Sequence, residues 1–252
     1  MNTSQIIPKE TREVIPVKEY VLEPASLISH LSHGWELNSA IALTPAEERM
    51  MVREPAQAVP ESLAARIGKL RVWVVPYVGC FSAGDAVCFA KPRGESHTAV
   101  WVEAGGMVHL VLACREVDPH DTGFEFLASI AQLAAGKMSE TEIGCFSRLL
   151  EDELRHNVSG EIDHEALDAK EAYLKARGKD DQFESYRNIS LSSTLAEYMH
   201  GLWHDVQIRT GPEHLPVALL RERMIALSGV FPPNPGYNLF AREIERDQAQ
   251  KT

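Results

Sequence analysis

The stretch that decides the fold reads MVHLVLAC at residues 107–114, REVDPHDT at 115–122 and GFEFLASIAQLAA at 123–135. Residues 107–114 are apolar at nearly every position, which is typical of a strand buried on both faces. The polar residues that follow predict a turn, and 123–135 has the apolar spacing of an amphipathic helix. A buried strand leading into such a helix predicts a sheet covered by helices.

Upstream of this stretch the chain is rich in strand-forming residues. The β-rich runs, separated by glycine- and proline-containing turns, are 70–78, 86–90, 97–102 and 107–114. Because the runs and the turns are short, they favour hairpins and therefore a largely antiparallel arrangement. The predicted fold class is α/β or α+β, with a mixed sheet that contains an antiparallel run at 70–114 and is covered by helices.

The ends of several helices can be identified from the sequence. Thr44, Pro45 and Glu47 combine a capping box with proline at the first helical position, and Ser139 with Glu142 forms a second capping box. Further helices are predicted at 60–67, at 123–135, from Asp163 to near Gly178, over 190–209, and from Pro216 to Gly229. The last three make the C-terminal region helical.

These elements suggest three parts. Residues 1–18 are predicted to form an extended arm, 19–158 an α/β domain, and 159–252 a helical region packed on that domain. The proline-rich segment 231–240 cannot continue a helix, because proline lacks an amide hydrogen. It is interpreted either as a strap pinned by Phe231, Tyr237 and Phe240 or as a binding strip for a partner.

Composition and charge restrict the classes of function. The chain has 252 residues and a formal net charge of -11, with its acidic residues scattered, which argues against a nucleic-acid partner. The four cysteines have no CxxC spacing and are interpreted as reduced core residues. No signal peptide or apolar run of about 20 residues is apparent, so a cytoplasmic protein without membrane segments is predicted.

The order of these elements resembles the enzyme IIA domains of the fructose, mannitol and nitrogen-related phosphotransferase systems. The resemblance covers residues 20–157 and includes the run ending in Val75, Pro76 and Tyr77 and the hairpin through Gly105 and Gly106. In that family the proline precedes the histidine that accepts the phosphoryl group. Here Tyr77 follows Pro76, so the resemblance implies a degenerate relative that lacks the usual nucleophile.

Three histidines lie near this region in the sequence and could substitute as phosphoacceptors. His109 is inside the apolar run, where a histidine is usually a hydrogen-bonded core residue. His120 is expected in a turn in which Asp121 or Thr122 caps the next helix. His97 shares a strand face with Trp101 and is the best candidate of the three.

One set of residues has the spacing of metal ligands. Glu197, His200 and His204 are three and four residues apart, so a helix over 191–209 would place them on one side, as in a zinc site. A zinc protease of the His-Glu-x-x-His type is excluded because Gly201 follows the first histidine. The alternative is a solvated helix face that happens to carry two histidines.

Two functional hypotheses follow, and neither catalytic residues nor an organic cofactor can be assigned. The first is a non-enzymatic regulatory or partner-binding protein whose partner, protein or small ligand, is unknown. The second is a zinc-dependent enzyme, in particular a hydrolase, with Glu197, His200 and His204 as its metal ligands. A di-iron variant, which uses the Glu-x-x-His pairs at 153–156 and 197–200, is a further alternative.

Overall fold

The computed structural model describes residues 13–24, 27–176, 179–204 and 211–240. Its strands, in chain order, are β1 Val14–Pro16, β2 Ser29–His30, β3 Glu36–Ser39, β4 Leu70–Val75, β5 Tyr77–Phe81, β6 Gly84–Cys88, β7 Ser96–His97, β8 Ala99–Ala104 and β9 Met107–Ala113. Its helices are α1 Val17–Tyr20, α2 Pro45–Glu48, α3 Glu54–Ala58, α4 Glu61–Ile67, α5 Pro119–Ala135, α6 Glu140–Arg155, α7 His164–Lys175, α8 Asp180–Trp203 and α9 Val217–Val230. A 3-10 turn, Ser32–Gly34, precedes β3, and a π-helical turn, Arg49–Arg53, joins α2 to α3. The predicted fold class, mixed α/β with C-terminal helices, is confirmed.

The strands form two sheets. A five-stranded mixed sheet has the order β2-β3-β4-β9-β8, and a four-stranded antiparallel sheet has the order β1-β6-β5-β7. Within 70–114 the pairs β5–β6, β5–β7 and β8–β9 are antiparallel, as largely expected, but β4 pairs in parallel with β9, from Leu70 opposite Val108 to Val75 opposite Ala113. The chain leaves the mixed sheet at Pro76, builds the other sheet and returns, which brings β9 alongside β4 in the same direction.

Contacts divide the chain into two units. The first comprises the described residues up to Ala56 together with Gly68–Ser129, and the second comprises Gln57–Ile67 together with the described residues from Ile130 onward. The sequence instead suggested a boundary at 158/159. Contacts group α4 and α6 with the later helices: Arg66 of α4 pairs with Glu142 of α6 and lies beside the Phe231 ring, and α6 contacts both α8 and α9.

The core of the first unit lies between residues of both sheets and α1. Its buried members are Ile15, Val17, Tyr20, Val21, Trp73, Val75, Val78, Val87, Val111 and Ala113. Residues 14–16 are therefore a sheet strand, paired with β6, and not part of an extended arm, whereas residues 1–12 lie outside the described ranges. Burying Ile15 and Tyr20 removes a large apolar area from water, which stabilises this attachment by a few kcal/mol.

The second unit is built from α4 and the helices after residue 130. Helix α6 contacts α8 and α9, and α8 also contacts α7 and α9. The capping boxes predicted at Thr44 and Ser139 are both present, as is the Asp163 cap of α7. Helix α8 begins at Asp180, ten residues earlier than predicted, and residues 205–209 of that prediction lie outside the described chain. In the residues that the structure describes, no helix is long and apolar enough to cross a membrane.

Segment 231–240 is held by the second unit's own residues, as the strap interpretation predicted for Phe231, whereas Tyr237 and Phe240 are only partly buried. Phe231 is fully buried, its carbonyl accepts a hydrogen bond of 2.6 Å from the Tyr198 hydroxyl, and the Arg66 guanidinium lies 4.8 Å from its ring centre. The Asn234 side chain donates to the carbonyls of Gln57 and Val59 and accepts from the Glu61 amide. Asn234 thereby caps α4 across a long sequence separation.

Candidate functional site

The residue after Pro76 is the position at which the resemblance to enzyme IIA would place a phosphoacceptor. Pro76 is buried between β4 and β5, and Tyr77 opens β5 opposite Cys88 in β6. The side chain at this position is therefore a partly exposed phenol, which has no imidazole nitrogen with which to accept a phosphoryl group.

His109 is a structural residue of β9. Its Nδ1 accepts a hydrogen bond of 3.1 Å from the Trp73 indole N–H, which leaves Nε2 protonated and facing the Ala104 carbonyl at 3.3 Å. The residue is only 5% exposed, and burial lowers the pKa of His109 because the imidazolium form would be poorly solvated. Both ring nitrogens are engaged, so the expectation of a hydrogen-bonded core histidine is confirmed.

His120 and His97 occupy more accessible positions. His120 lies in the first turn of α5, where Asp118, and not Asp121 or Thr122, supplies the capping carboxylate to the His120 amide at 2.9 Å. His97 lies on β7, its side chain is 45% exposed, and its Nε2 is 3.3 Å from a carboxylate oxygen of Asp85. Of the three histidines considered from the sequence, His97 has the most exposed ring beside a carboxylate.

Cys80, Asp85 and His97 together form a cluster that the sequence did not reveal. Among the described residues they are the one group of three His, Cys, Asp or Glu side chains whose ligand atoms all lie within 4.8 Å of one another. The glycines at 79 and 84 predict a turn over 79–84, but β5 continues to Phe81 and the chain turns through Ser82 and Ala83 alone. The sequence signal that could have revealed the cluster is the short hairpin between β5 and β6, because it places Cys80 directly opposite Asp85.

The predicted metal ligands Glu197, His200 and His204 lie at the C-terminal end of α8. His200 is buried, with its Nδ1 3.4 Å from a Glu197 carboxylate oxygen, so the alternative of a solvated face is wrong for this residue. His204 is the C-cap residue, its amide donates to the His200 carbonyl, and the two imidazole ring centres are 5.9 Å apart. Trp203 packs beside both rings.

This arrangement brings Glu197 and His200 together, but the ligand atoms of Glu197, His200 and His204 do not all lie within 4.8 Å of one another. Beyond α8, Asp205 falls outside the described residues, and Glu213 and His214 pair with each other at 3.4 Å. The di-iron variant is wrong in its first pair, because Glu153 is buried against Arg223 while the His156 side chain is 72% exposed at the end of α6. Whether Glu197, His200 and His204 bind a metal stays a prediction.

The second unit also contains a buried network of charged side chains centred on Arg223. Its guanidinium, fully buried in α9, donates to both carboxylates, Glu153 and Glu161, and to the Ser190 hydroxyl at 2.9 Å. Lys170 donates to the Gly160 carbonyl at 2.9 Å and lies 3.8 Å from Glu161. Two positive and two negative groups therefore balance one another inside the protein.

Burial and pairing act in opposite directions on the ionisation of this network. Desolvation raises the pKa of Glu161, but Arg223, the Tyr186 hydroxyl and Lys170 outweigh it, so the pKa lies below its ordinary value. Desolvation, followed by the charge of Glu161, raises the pKa of Tyr186, and burial lowers that of Lys170. The Glu161 carboxylate is held ionised by dedicated partners, as expected of a structural network.

Cysteines fall into two environments. All four are free thiols, with Cys88 and Cys114 buried, Cys80 partly exposed and Cys145 exposed on α6. The expectation of core cysteines is thus wrong for Cys145. Burial raises the pKa of the Cys88 and Cys114 thiols, which keeps them protonated and unreactive.

Comparisons with protein-family models, with curated proteins and with solved structures found no match for this chain.

Proposed function

We propose that the chain is a non-enzymatic regulatory or partner-binding protein, related to the enzyme IIA domains but without their phosphoryl-transfer chemistry. The observation that carries the proposal is Tyr77, a phenol, at the position after Pro76 where that family has its histidine. The hydrogen bonds on both nitrogens of His109 add support, because that imidazole offers no free lone pair to a phosphoryl group. The proposed location is the cytoplasm, where the four free thiols would stay reduced.

The charged network of the second unit is consistent with a non-catalytic role. Arg223, Glu153 and Glu161 are buried and paired with one another, whereas a general acid or base must reach a substrate proton. The net charge of -11 favours a protein or small-molecule partner over a nucleic acid.

The experiment is incubation with a phosphohistidine carrier protein labelled on its phosphoryl group, with an authentic enzyme IIA as the positive control. We expect no acid-labile label on the chain. Acid-labile label on the wild-type protein that disappears in one histidine variant, with His97→Asn tested first, would reject the proposal. Acid-stable label would identify a phosphorylated hydroxyl such as Tyr77 and would also reject it.

A second candidate is a zinc-dependent hydrolase centred on Glu197, His200 and His204. It is favoured by the position of the buried His200, whose Nδ1 lies 3.4 Å from the Glu197 carboxylate, so that two of the three proposed ligands are already adjacent. Elemental analysis of protein purified without an affinity tag tests it. Near-stoichiometric zinc that is lost from a His200→Ala, His204→Ala variant, but kept in a His156→Ala control, would support this candidate over the first.

A further inference from the structure

Three strands of the four-stranded sheet bring Cys80, Asp85 and His97 to one face. Cys80 in β5 lies directly opposite Asp85 in β6, and directly opposed residues of an antiparallel pair project to the same side. On the other side of β5, His97 of β7 pairs with Val78, two residues before Cys80, and is therefore its diagonal neighbour on that face. The Cys80 amide donates to the Glu95 carbonyl at 2.9 Å, which fixes this register.

We propose that Cys80, Asp85 and His97 form a binding site for a zinc-type transition-metal ion. A tetrahedral zinc ion with ordinary bond lengths holds its donor atoms about 3.3 to 3.7 Å apart. The His97 Nε2 and the Asp85 oxygen are already 3.3 Å apart, and all three donors fall within 4.8 Å of one another. Small rotations of the three side chains complete the geometry without movement of the strands.

The donor set selects the class of metal. A thiolate and an imidazole favour zinc and related transition metals, whereas calcium and magnesium need oxygen ligands in larger number. The thiolate, the carboxylate and a divalent ion together carry no net charge, so binding neutralises the cluster. Three protein ligands leave a fourth position facing solvent, since the Asp85 and His97 side chains are 38% and 45% exposed.

Metal binding at this position also joins pieces of chain that are otherwise weakly connected. Strand β7 is two residues long and pairs with β5 through Val78–His97 and Gly79–Ser96. The exposed segment 90–96 precedes His97 and contains the Arg93–Gly94 bond. An ion bound by Cys80, Asp85 and His97 would link this segment to the β5–β6 hairpin. Metal binding would thereby change the surface that the segment forms.

Cobalt substitution and thiol alkylation of the full-length protein test the site. With Co²⁺ added to the metal-free protein we expect one equivalent bound and a thiolate-to-cobalt charge-transfer absorption. The band should vanish in Cys80→Ser and persist in Cys145→Ser, and zinc affinity should fall at least about 100-fold in Asp85→Asn and in His97→Gln. Zinc should also slow iodoacetamide labelling of Cys80 at least about tenfold while labelling of the exposed Cys145 stays unchanged.

Several results would overturn the site. The first is wild-type protein that takes up neither Co²⁺ nor zinc, and the second is equal uptake by wild type and Cys80→Ser. The third is metal uptake that is lost in the double variant His200→Ala, His204→Ala but kept in His97→Gln, which would place the ion at α8 instead. Iodoacetamide labelling of Cys80 is compared in wild-type protein with and without zinc, so it needs no variant. Unchanged labelling would overturn the site even if a substitution disturbs folding. Because no phosphoryl donor is involved, these outcomes are independent of the phosphotransfer experiment.

Discussion

Replacement of Arg223 by methionine tests whether the buried network holds the second unit together. The guanidinium is fully buried and forms paired hydrogen bonds with Glu153 and Glu161, which are 5% and 0% exposed. Methionine fills much of the same volume but leaves two buried carboxylates facing one positive group, Lys170. Breaking a buried ion pair by removing one partner costs about 3 to 5 kcal/mol, so we expect the free energy of unfolding at pH 7 to fall by that amount.

The loss should depend on pH in a definite direction. In the wild type the pKa of Glu161 is lowered by its partners, so its contribution to stability is present above the unfolded-state pKa and is lost as pH falls through the folded-state pKa. In Arg223→Met the guanidinium no longer opposes desolvation, so we expect the pKa of Glu161 to rise. The destabilisation is then greatest at neutral pH and shrinks as pH falls below about 4.3, the ordinary glutamate value.

Urea unfolding followed by far-UV circular dichroism measures this difference, with the slope m compared between proteins. Arg223→Lys keeps the positive charge but lacks the planar guanidinium, so its free energy of unfolding should lie between those of wild type and Arg223→Met. Arg155→Ala is the control, because it removes an ion pair with Asp152 whose side chains are 72% and 57% exposed, and should cost less than about 0.5 kcal/mol. A loss below about 1 kcal/mol in Arg223→Met, or a loss that does not shrink on acidification, would refute the reasoning.

The remaining predictions concern backbone crowding, helix capping and the proposed metal site. Gly160→Ala should lower the free energy of unfolding in urea by about 1 to 3 kcal/mol, because the new Cβ would lie 2.0 Å from the His214 carbonyl oxygen. Its control is Gly144→Ala in α6, where the Cβ would meet open space, and this change should be neutral or stabilising by up to about 1 kcal/mol. Thr44→Ala should cost about 1 kcal/mol through loss of the α2 capping box, and an unchanged urea midpoint would contradict this. Zinc at 100 times its dissociation constant should stabilise the wild type by about 2.7 kcal/mol in thermal unfolding and slow tryptic cleavage after Arg93, with neither effect in His97→Gln.

Local signals in the sequence identified most elements correctly. The capping boxes at Thr44 and Ser139 and the buried run 107–114 each depend on neighbouring residues, so they could be predicted without knowledge of the fold. The polar first part of α8 could not be predicted in this way, because residues 180–189 lack an apolar stripe. Phe183 and Tyr186 in this part pack against Tyr173 of α7 instead.

Long-range pairing explains what the sequence left out. The parallel pairing of β4 with β9 arises because the chain enters a second sheet after Pro76. The hydrophobic periodicity of the sequence does not indicate this change of sheet. Arg223 meets Glu153 across 70 positions, and His97 reaches Cys80 only once β7 has docked on β5. Conversely, the spacing of Glu197, His200 and His204 was visible because a helix turns sequence spacing into spatial proximity.

The division of the chain into two units has a consequence for any attempt to separate them. Residues 57–67 belong by their contacts to the second unit, yet they are covalently flanked on both sides by the first, so no single cut releases either one intact. A fragment ending near residue 129 would carry α4 without Glu142, Phe231 and Asn234, and a fragment beginning at 130 would leave Phe231 and Asn234 without α4. During synthesis α4 emerges from the ribosome long before Asn234 does, so the Glu61 amide has no Asn234 cap until residue 234 has been added to the chain.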